Sequence, residues 1–89
     1  MIVAMDFDDT YTLDPAAWDV VIRDLENAGH EVICVTCRRD TDENREKVQC
    51  GQLTVYFTGL RPKREFMLRR GVKVDVWIDD DPNCVENGK

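Results

Sequence analysis

Two acidic clusters each follow an apolar segment of this 89-residue chain. Residues 6–10 (DFDDT) follow residues 2–5, and residues 79–81 (DDD) follow residues 72–78. Two carboxylates about 4 Å apart repel each other by roughly 4 kcal/mol at an effective dielectric near 20. If the fold brings the clusters together, they need a cation between them, either Lys63 or a metal ion. A ligand set made only of oxygen atoms favours Mg²⁺ over zinc or copper.

A purely structural interpretation treats these acids as helix caps and strand-end turns. It suits Asp81, which precedes Pro82, and it suits Asp9. It accounts poorly for the remaining carboxylates, which lie in clusters directly after predicted strands: Asp6, Asp8, Asp79 and Asp80. We therefore favour a site in which Mg²⁺, Lys63 or both balance the acids.

The elements that must position these clusters alternate along the chain. Apolar runs predict four strands, at residues 2–5, 31–35, 53–57 and 72–78. Helices are predicted from Asp14-Pro15 to Gly29, within residues 40–49, from Pro62 to Gly71, and as a last turn at Asp81-Pro82. This alternation predicts an α/β domain with a parallel sheet, whose strands have their carboxyl ends at one edge. The apolar period of two in residues 72–78 indicates an edge strand.

Length and composition limit the classes of protein that the chain can represent. A chain with 43% hydrophobic and 34% charged residues fits one compact domain over residues 1–89. Its 12 Lys+Arg and 18 Asp+Glu give a net charge of −6, which argues against nonspecific binding to nucleic acid or to an anionic membrane. No apolar run approaches the roughly 20 residues of a membrane span. Residues 1–5 carry no basic leader, so we expect a cytoplasmic protein.

The four cysteines are expected to be reduced thiols. Cys34 and Cys37 have the C-x-x-C spacing of a redox pair or of half a zinc site. Cys34 lies inside an apolar predicted strand, however, and Cys50 and Cys84 are too far apart to supply a second pair. We expect neither zinc nor a structural disulfide.

Taken together, the acidic clusters and strand ends resemble the haloacid dehalogenase (HAD) superfamily of phosphatases. Residues 6–10 resemble its D-x-D-x-T nucleophile motif, residues 32–36 (VICVT) its second motif, Lys63 its third, and residues 76–80 (VWIDD) its acidic fourth. The motifs occur in the family's order and cover about residues 1–83. The resemblance implies a Rossmann-like, HAD-like three-layer fold with a short parallel sheet in the strand order 4-1-2-3.

The resemblance also implies a reaction, the hydrolysis of a phosphomonoester through an aspartyl phosphate. Asp6 is expected to be the nucleophile, and Asp8 is expected to act as the general acid and base. Thr36 and Lys63 are expected to stabilise the phosphoryl group during its transfer. Further substrate contacts are expected from the residues that follow the first and second strands: Phe7, Thr10, Cys37, Arg38 and Arg39.

Mg²⁺ is the cofactor that the resemblance implies. Its expected ligands are Asp6, the main-chain oxygen of Asp8, and the pair Asp79 and Asp80. We favour Asp80 as the direct ligand from this pair, with Asp79 held by Lys63 or reaching the metal through water.

The chain departs from the usual family pattern in its size. Only residues 11–13 separate Thr10 from Asp14, and only residues 58–62 separate the third strand from Lys63. Neither interval has room for the cap domain that family members usually carry, so we expect a minimal, capless phosphatase. Its expected partner is a phosphorylated small molecule or nucleotide in preference to a macromolecule. We expect no association with a membrane. Nucleic acid and a homo-oligomer are left open.

Two alternatives from other functional classes are a non-catalytic module that binds phosphate or Mg²⁺ and a phospho-acceptor domain similar to response-regulator receivers. The receiver fold has its phospho-accepting Asp after the third strand. Here the third predicted strand ends in Phe57-Thr58-Gly59, without an acid. Every motif position is intact, which argues against the non-catalytic module.

Overall fold

The computed structural model describes residues 1–88, which form a four-stranded parallel sheet with helices packed on it. The strands are β1 (Ile2–Met5), β2 (Glu31–Thr36), β3 (Val55–Phe57) and β4 (Val76–Ile78). Their order across the sheet is β3-β2-β1-β4. Because a sheet has no intrinsic first edge, the same arrangement is written 4-1-2-3 when it is described from the β4 edge. In either direction β1 lies between β2 and β4.

Four α-helices and a 3₁₀ turn occur within the described residues: α1 (Pro15–Asn27), α2 (Asp42–Lys47), α3 (Lys63–Arg69), α4 (Pro82–Glu86) and the 3₁₀ turn Tyr11–Leu13. The predicted Asp-Pro starts are confirmed at both positions. The Asp14 carboxylate accepts a hydrogen bond from the Ala17 N–H at 3.2 Å at the start of α1. Asp81 accepts from the Asn83 N–H at 3.1 Å at the start of α4. These carboxylates satisfy N–H groups that lack partners within the helix.

The third and fourth strands are shorter than predicted, because the first residues of each apolar run lie outside the regular strand. The third strand begins at Val55 and not at residue 53, and the fourth begins at Val76 and not at residue 72. The Val72 N–H donates to the Met67 carbonyl at 3.0 Å and closes the end of α3, whereas the Asp75 N–H already donates to the Ile2 carbonyl of β1 at 2.8 Å. The polar helix occupies Asp42–Lys47, within the predicted residues 40–49, and α3 begins at Lys63 with Pro62 as its N-cap.

Alternation along the central strands divides the core into two clusters. Val3 and Met5 of β1 pack with Ile22 of α1 in the first cluster. Ala4, between them in sequence, packs in the second cluster with Met67 of α3. Since successive side chains of a strand point to opposite faces, α1 and α3 cover opposite faces of the sheet. The continuous apolar sequence of β1 follows from this burial on both sides.

None of the helices within residues 1–88 is long and apolar enough to span a lipid bilayer. All four cysteines are free and buried, with Cys34 and Cys50 in the cluster on the α1 face. Cys34 points into the core from β2, as the apolar surroundings of its sequence predict.

The first prediction concerns the face of α3 that packs on the sheet. Met67 is fully buried, whereas its neighbour Leu68 is 52% exposed. We expect Met67→Ala to lower the free energy of unfolding by about 2–5 kcal/mol, because it leaves a cavity in the core. The matched control Leu68→Ala changes it by about 0.5 kcal/mol or less. Urea denaturation of both variants measures the difference, and equal losses would contradict the packing described here.

Candidate active site

The carboxyl ends of β1, β2 and β4 meet at one edge of the sheet. The Asp6 N–H donates to the Ile78 carbonyl at 2.9 Å, which extends the pairing of β1 with β4 up to the first acid. Both acidic clusters then line a cavity of about 70 Å³ together with Thr36, Cys37, Lys63 and Cys84. The sequence prediction that the two acidic clusters lie side by side is confirmed.

Lys63 joins the two acidic clusters. Its ammonium donates to Asp6 Oδ1 at 2.7 Å and to Asp79 Oδ2 at 2.6 Å. The side chain is buried, with 1% of the residue exposed. A buried ammonium without partners would be strongly destabilising, so the two carboxylates are what permits its charge in this position. Burial opposes the charge on Lys63, but the hydrogen bonds to Asp6 and Asp79 outweigh it and raise its pKa above the ordinary value.

Asp6 is buried, with 7% of the residue exposed. Burial raises its pKa from an ordinary 3.8 to about 6, although the hydrogen bond and the charge of Lys63 act in the opposite direction. The Thr10 hydroxyl lies 3.1 Å from Asp6 Oδ2. Asp6 is therefore a desolvated carboxylate whose two oxygens are fixed by Lys63 and Thr10.

Thr10 also contacts the second acidic cluster. Its hydroxyl lies 3.3 Å from Asp80 Oδ1 and accepts a hydrogen bond from the Asp80 N–H at 3.2 Å. Thr10 is buried, and its carbonyl accepts from the Trp18 indole N–H at 2.8 Å. The loop after β1 is thus fixed to α1 on one side and to the end of β4 on the other.

Three carboxylates are close enough to hold one cation. One oxygen each from Asp6, Asp79 and Asp80 lies within 4.8 Å of the others. The three carboxylates carry three negative charges, and Lys63 carries one positive charge. The remaining two negative charges match the charge of one divalent cation. The donors are all carboxylate oxygens, and these suit Mg²⁺. The residues of this cluster therefore fit the cofactor predicted from the sequence.

The two acids of the second cluster differ in how their oxygens are used. Asp79 Oδ2 accepts from Lys63, and its Oδ1 accepts from the Asp81 N–H at 3.0 Å. The Asp79 side chain is 4% exposed, whereas Asp80 is an exposed residue. Asp79 therefore has a donor on each oxygen, and Asp80 faces the solvent side of the cavity.

Asp8 lies at the edge of the cavity, where Arg38 holds its carboxylate. The Arg38 Nε donates to Asp8 Oδ2 at 2.9 Å, and its Nη2 donates to Asp8 Oδ1 at 2.8 Å. The hydrogen bond to Asp8 is the main cause that raises the pKa of Arg38. Parallel hydrogen bonds of this kind fix the plane of a carboxylate as well as its position.

The predicted substrate contacts are divided between the cavity and the structure around it. Of the five, Cys37 lines the cavity formed by residues 1–88. The other four do not line it: Phe7, Thr10, Arg38 and Arg39. The Phe7 ring packs in the core beside the Tyr11 ring, 6.2 Å between centroids, and Arg39 is exposed. Whether any of these residues contacts substrate stays a prediction.

Reasoning from the sequence missed Asn44, and it did not assign to the site three residues that line the cavity: Asp9, Asp81 and Cys84. Asn44, in α2, accepts a hydrogen bond on Oδ1 from Arg38 Nη1 at 3.1 Å. Its amide nitrogen donates to the Arg39 carbonyl at 2.9 Å. Asn44 lies in a polar stretch without periodicity, and no spacing in the sequence relates it to Asp8.

Neither a scan against protein-family models nor searches of the curated proteins and of the solved structures found a match to this chain. The geometry and chemistry of the site are therefore the basis for a functional assignment.

The second prediction concerns the cost of burying the Asp6 charge in the metal-free protein. A pKa near 6 in the fold, against 3.8 for the ordinary group, means that the cost is absent below about pH 4 and complete above about pH 6. We expect the stability of Asp6→Asn relative to wild type, in the presence of chelator, to increase by on the order of 2–3 kcal/mol between pH 3.5 and pH 7, because only wild type acquires the buried charge.

Urea denaturation at pH 3.5, 5 and 7 tests this expectation. The difference between the two proteins should grow as the pH rises through this window and then level off. A difference that is constant with pH, or that shrinks as the pH rises, would contradict the pKa of Asp6.

Proposed function

We propose that the protein is a Mg²⁺-dependent phosphatase of the HAD type, which hydrolyses a phosphomonoester through an aspartyl phosphate on Asp6. The observation that carries the proposal is the bridge from Lys63 to Asp6 and Asp79, which links the end of β1 with the end of β4. A buried, desolvated carboxylate beside a fixed ammonium and a second acidic cluster is suited to phosphoryl transfer. In that chemistry, catalysis comes mainly from positioning and charge stabilisation.

The first step forms the phosphorylated protein. An oxygen of Asp6 attacks phosphorus, the bond from phosphorus to the leaving oxygen breaks, and Asp8 supplies a proton to that oxygen. Lys63 stays within reach of the charge that develops on the phosphoryl oxygens. Thr36 lines the same cavity at the end of β2 and offers its hydroxyl, which in the free protein accepts from the Arg38 N–H at 3.3 Å.

The second step regenerates the protein. Water attacks the phosphorus of the aspartyl phosphate, the bond from phosphorus to the Asp6 oxygen breaks, and a proton of the water passes to Asp8. Asp8 is two residues beyond Asp6 and lines the same cavity, so one carboxyl group serves both proton transfers. Inorganic phosphate leaves, and Asp6 is again a carboxylate.

Asp6, Asp80 and the main chain of Asp8 would hold the magnesium ion. Asp79, with Lys63 and the Asp81 N–H on its oxygens, would orient the cluster instead of binding the ion directly. When bound, Mg²⁺ supplies a positive charge that offsets the negative charge of the phosphoryl oxygens.

The strand order and two short connections also support the proposal. The parallel sheet has β1 between β2 and β4, and the site lies at the carboxyl end of β1, where the chain connections diverge to opposite faces. The short 3₁₀ turn Tyr11–Leu13 and the connection over residues 58–62 occupy the two places where a cap domain would be inserted. We infer a capless member with a cavity that admits a phosphate group and leaves the rest of its substrate outside.

The third prediction tests the roles of Asp6 and Asp8 with p-nitrophenyl phosphate and Mg²⁺. Wild type should turn the substrate over, and Asp6→Asn should lower turnover by on the order of 10⁴-fold or more, because it removes the nucleophile. Asp8→Asn should lower it by about 10²–10⁴-fold. Intact-protein mass spectrometry should find the phosphoryl group on Asp8→Asn and not on Asp6→Asn.

The alternatives give different results in the same experiment. A single labelling event without turnover would indicate a phospho-acceptor domain. Binding of phosphate or Mg²⁺ with neither turnover nor labelling would indicate the non-catalytic module. A label that persists in Asp6→Asn would place the nucleophile elsewhere.

The fourth prediction tests the metal ligands by comparing two exposed acids of the site. Asp80→Asn and Asp9→Asn each remove one negative charge, but only Asp80 belongs to the group of three carboxylates. We expect Asp80→Asn to weaken Mg²⁺ binding by at least about 10-fold, and Asp9→Asn to weaken it much less. Isothermal titration calorimetry with MgCl₂ measures both, and equal effects would show that Asp80 acts only through its charge.

A further inference from the structure

The Arg38 guanidinium makes a two-point contact with the Asp8 carboxylate. Its Nε and Nη2 donate to the two oxygens of Asp8 at 2.9 and 2.8 Å, so the guanidinium and the carboxylate face each other edge to edge. Such a two-point contact allows one orientation of the carboxylate, whereas a single hydrogen bond from a lysine would leave it free to rotate.

The guanidinium is itself fixed from two other directions. Its Nη1 donates to Asn44 Oδ1 at 3.1 Å, and its Cζ lies 5.7 Å from the centroid of the buried Phe7 ring. Phe7 is the residue between the two acids Asp6 and Asp8. Arg38 therefore connects α2 to the loop after β1. Within that loop it contacts both the Asp8 carboxylate and the ring of Phe7, which packs in the core.

We propose that Arg38 is a positioning residue of the site, which fixes the Asp8 carboxylate for the attack of water on the aspartyl phosphate. The inference rests on the proposed function and adds a residue to it. Arg38 does not line the cavity formed by residues 1–88, and its Nε, Nη1 and Nη2 each have a protein partner. Its effect on the reaction therefore passes through Asp8.

The ion pair between Arg38 and Asp8 is expected to add little to the stability of the fold. The Arg38 side chain is 32% exposed and that of Asp8 is 47% exposed. Ion pairs with this exposure contribute little to folding, because water and salt screen them. Arg45 and Asp40 form a comparable exposed pair on the same part of the chain, away from the cavity, and so provide a matched control.

The two steps of the reaction depend differently on the position of Asp8. With p-nitrophenyl phosphate, the leaving p-nitrophenolate departs without a proton, so Asp6 can be phosphorylated even when Asp8 is displaced. In the second step, the oxygen of water forms its bond to phosphorus while the bond to Asp6 breaks, and the water's proton must reach a correctly placed oxygen of Asp8. Loss of Arg38 should therefore slow the second step more than the first.

The experiment compares Arg38→Met with Arg45→Met in rapid-quench kinetics with p-nitrophenyl phosphate and Mg²⁺. Each variant removes one positive charge and one two-point contact with an aspartate. We expect Arg38→Met to show a burst of p-nitrophenolate, accumulation of phosphorylated protein, and a kcat that is about 10- to 100-fold below wild type without an increase in KM. Arg45→Met should have wild-type kinetics.

Two further variants keep the test decisive if Arg38→Met does not fold. Arg38→Lys retains the charge but only one hydrogen bond, and Asn44→Ala removes the support of the guanidinium. Both should show the same accumulation of phosphorylated protein to a smaller extent. An increase in KM without accumulation would make Arg38 a substrate ligand and would overturn the proposal, as would equal kinetic effects of the Arg38 and Arg45 variants.

Failure of the proposed function gives a different result. In that case wild type itself shows no turnover that depends on Asp6, and both proposals fall. If Asp6-dependent turnover is present and the Arg38 variants hydrolyse the aspartyl phosphate at the wild-type rate, only the assignment of Arg38 is wrong.

Discussion

The buried ammonium of Lys63 is the charge on which the site depends. Desolvating an ammonium is so unfavourable that it is tolerated only where opposite charges and hydrogen bonds compensate for it. Asp6 and Asp79 provide this compensation from the ends of two adjacent strands. The contact requires β1 and β4 to be neighbours and α3 to begin at Lys63. The same contact thus contributes to the fold and creates the charge arrangement of the site.

Backbone hydrogen bonds fix the loop that precedes Lys63, so that α3 begins where Lys63 can reach Asp6 and Asp79. The Leu60 N–H donates to the Cys37 carbonyl at 2.8 Å, and the Gly59 N–H donates to the Arg38 carbonyl at 3.2 Å. Leu60 has a φ of 72°, in the left-handed region that is uncommon for a residue with a side chain. These hydrogen bonds join the start of α3 to the segment after β2. Lys63 and the segment that carries Arg38 are therefore positioned by one set of backbone contacts.

The sequence predicts the parts of this arrangement that arise from burial and topology. Apolar runs followed by acids place Asp6 and Asp79 at strand ends, and parallel strands bring those ends to one edge. The extent of β4 is less predictable, because the apolar alternation begins at residue 72 whereas the regular strand begins at Val76. The contact between Arg38 and Asp8 is not predictable from spacing. It depends on the path of a polar segment whose direction is set by tertiary hydrogen bonds, including that of Asn44.

The two acids of the DFD sequence illustrate how one short segment acquires two chemical environments. Asp6 lies at the end of a buried strand, where desolvation raises its pKa and Lys63 fixes one oxygen. Asp8 lies two residues further on, after the chain has left the sheet, and is held by a guanidinium that remains partly exposed. Phe7, between them, packs into the core and keeps the two carboxylates at separate depths. In the proposed mechanism, Asp6 acts as nucleophile from the buried position, and Asp8 exchanges a proton with water from the partly exposed one. The difference in depth thus matches the two roles that the proposal assigns to these carboxylates.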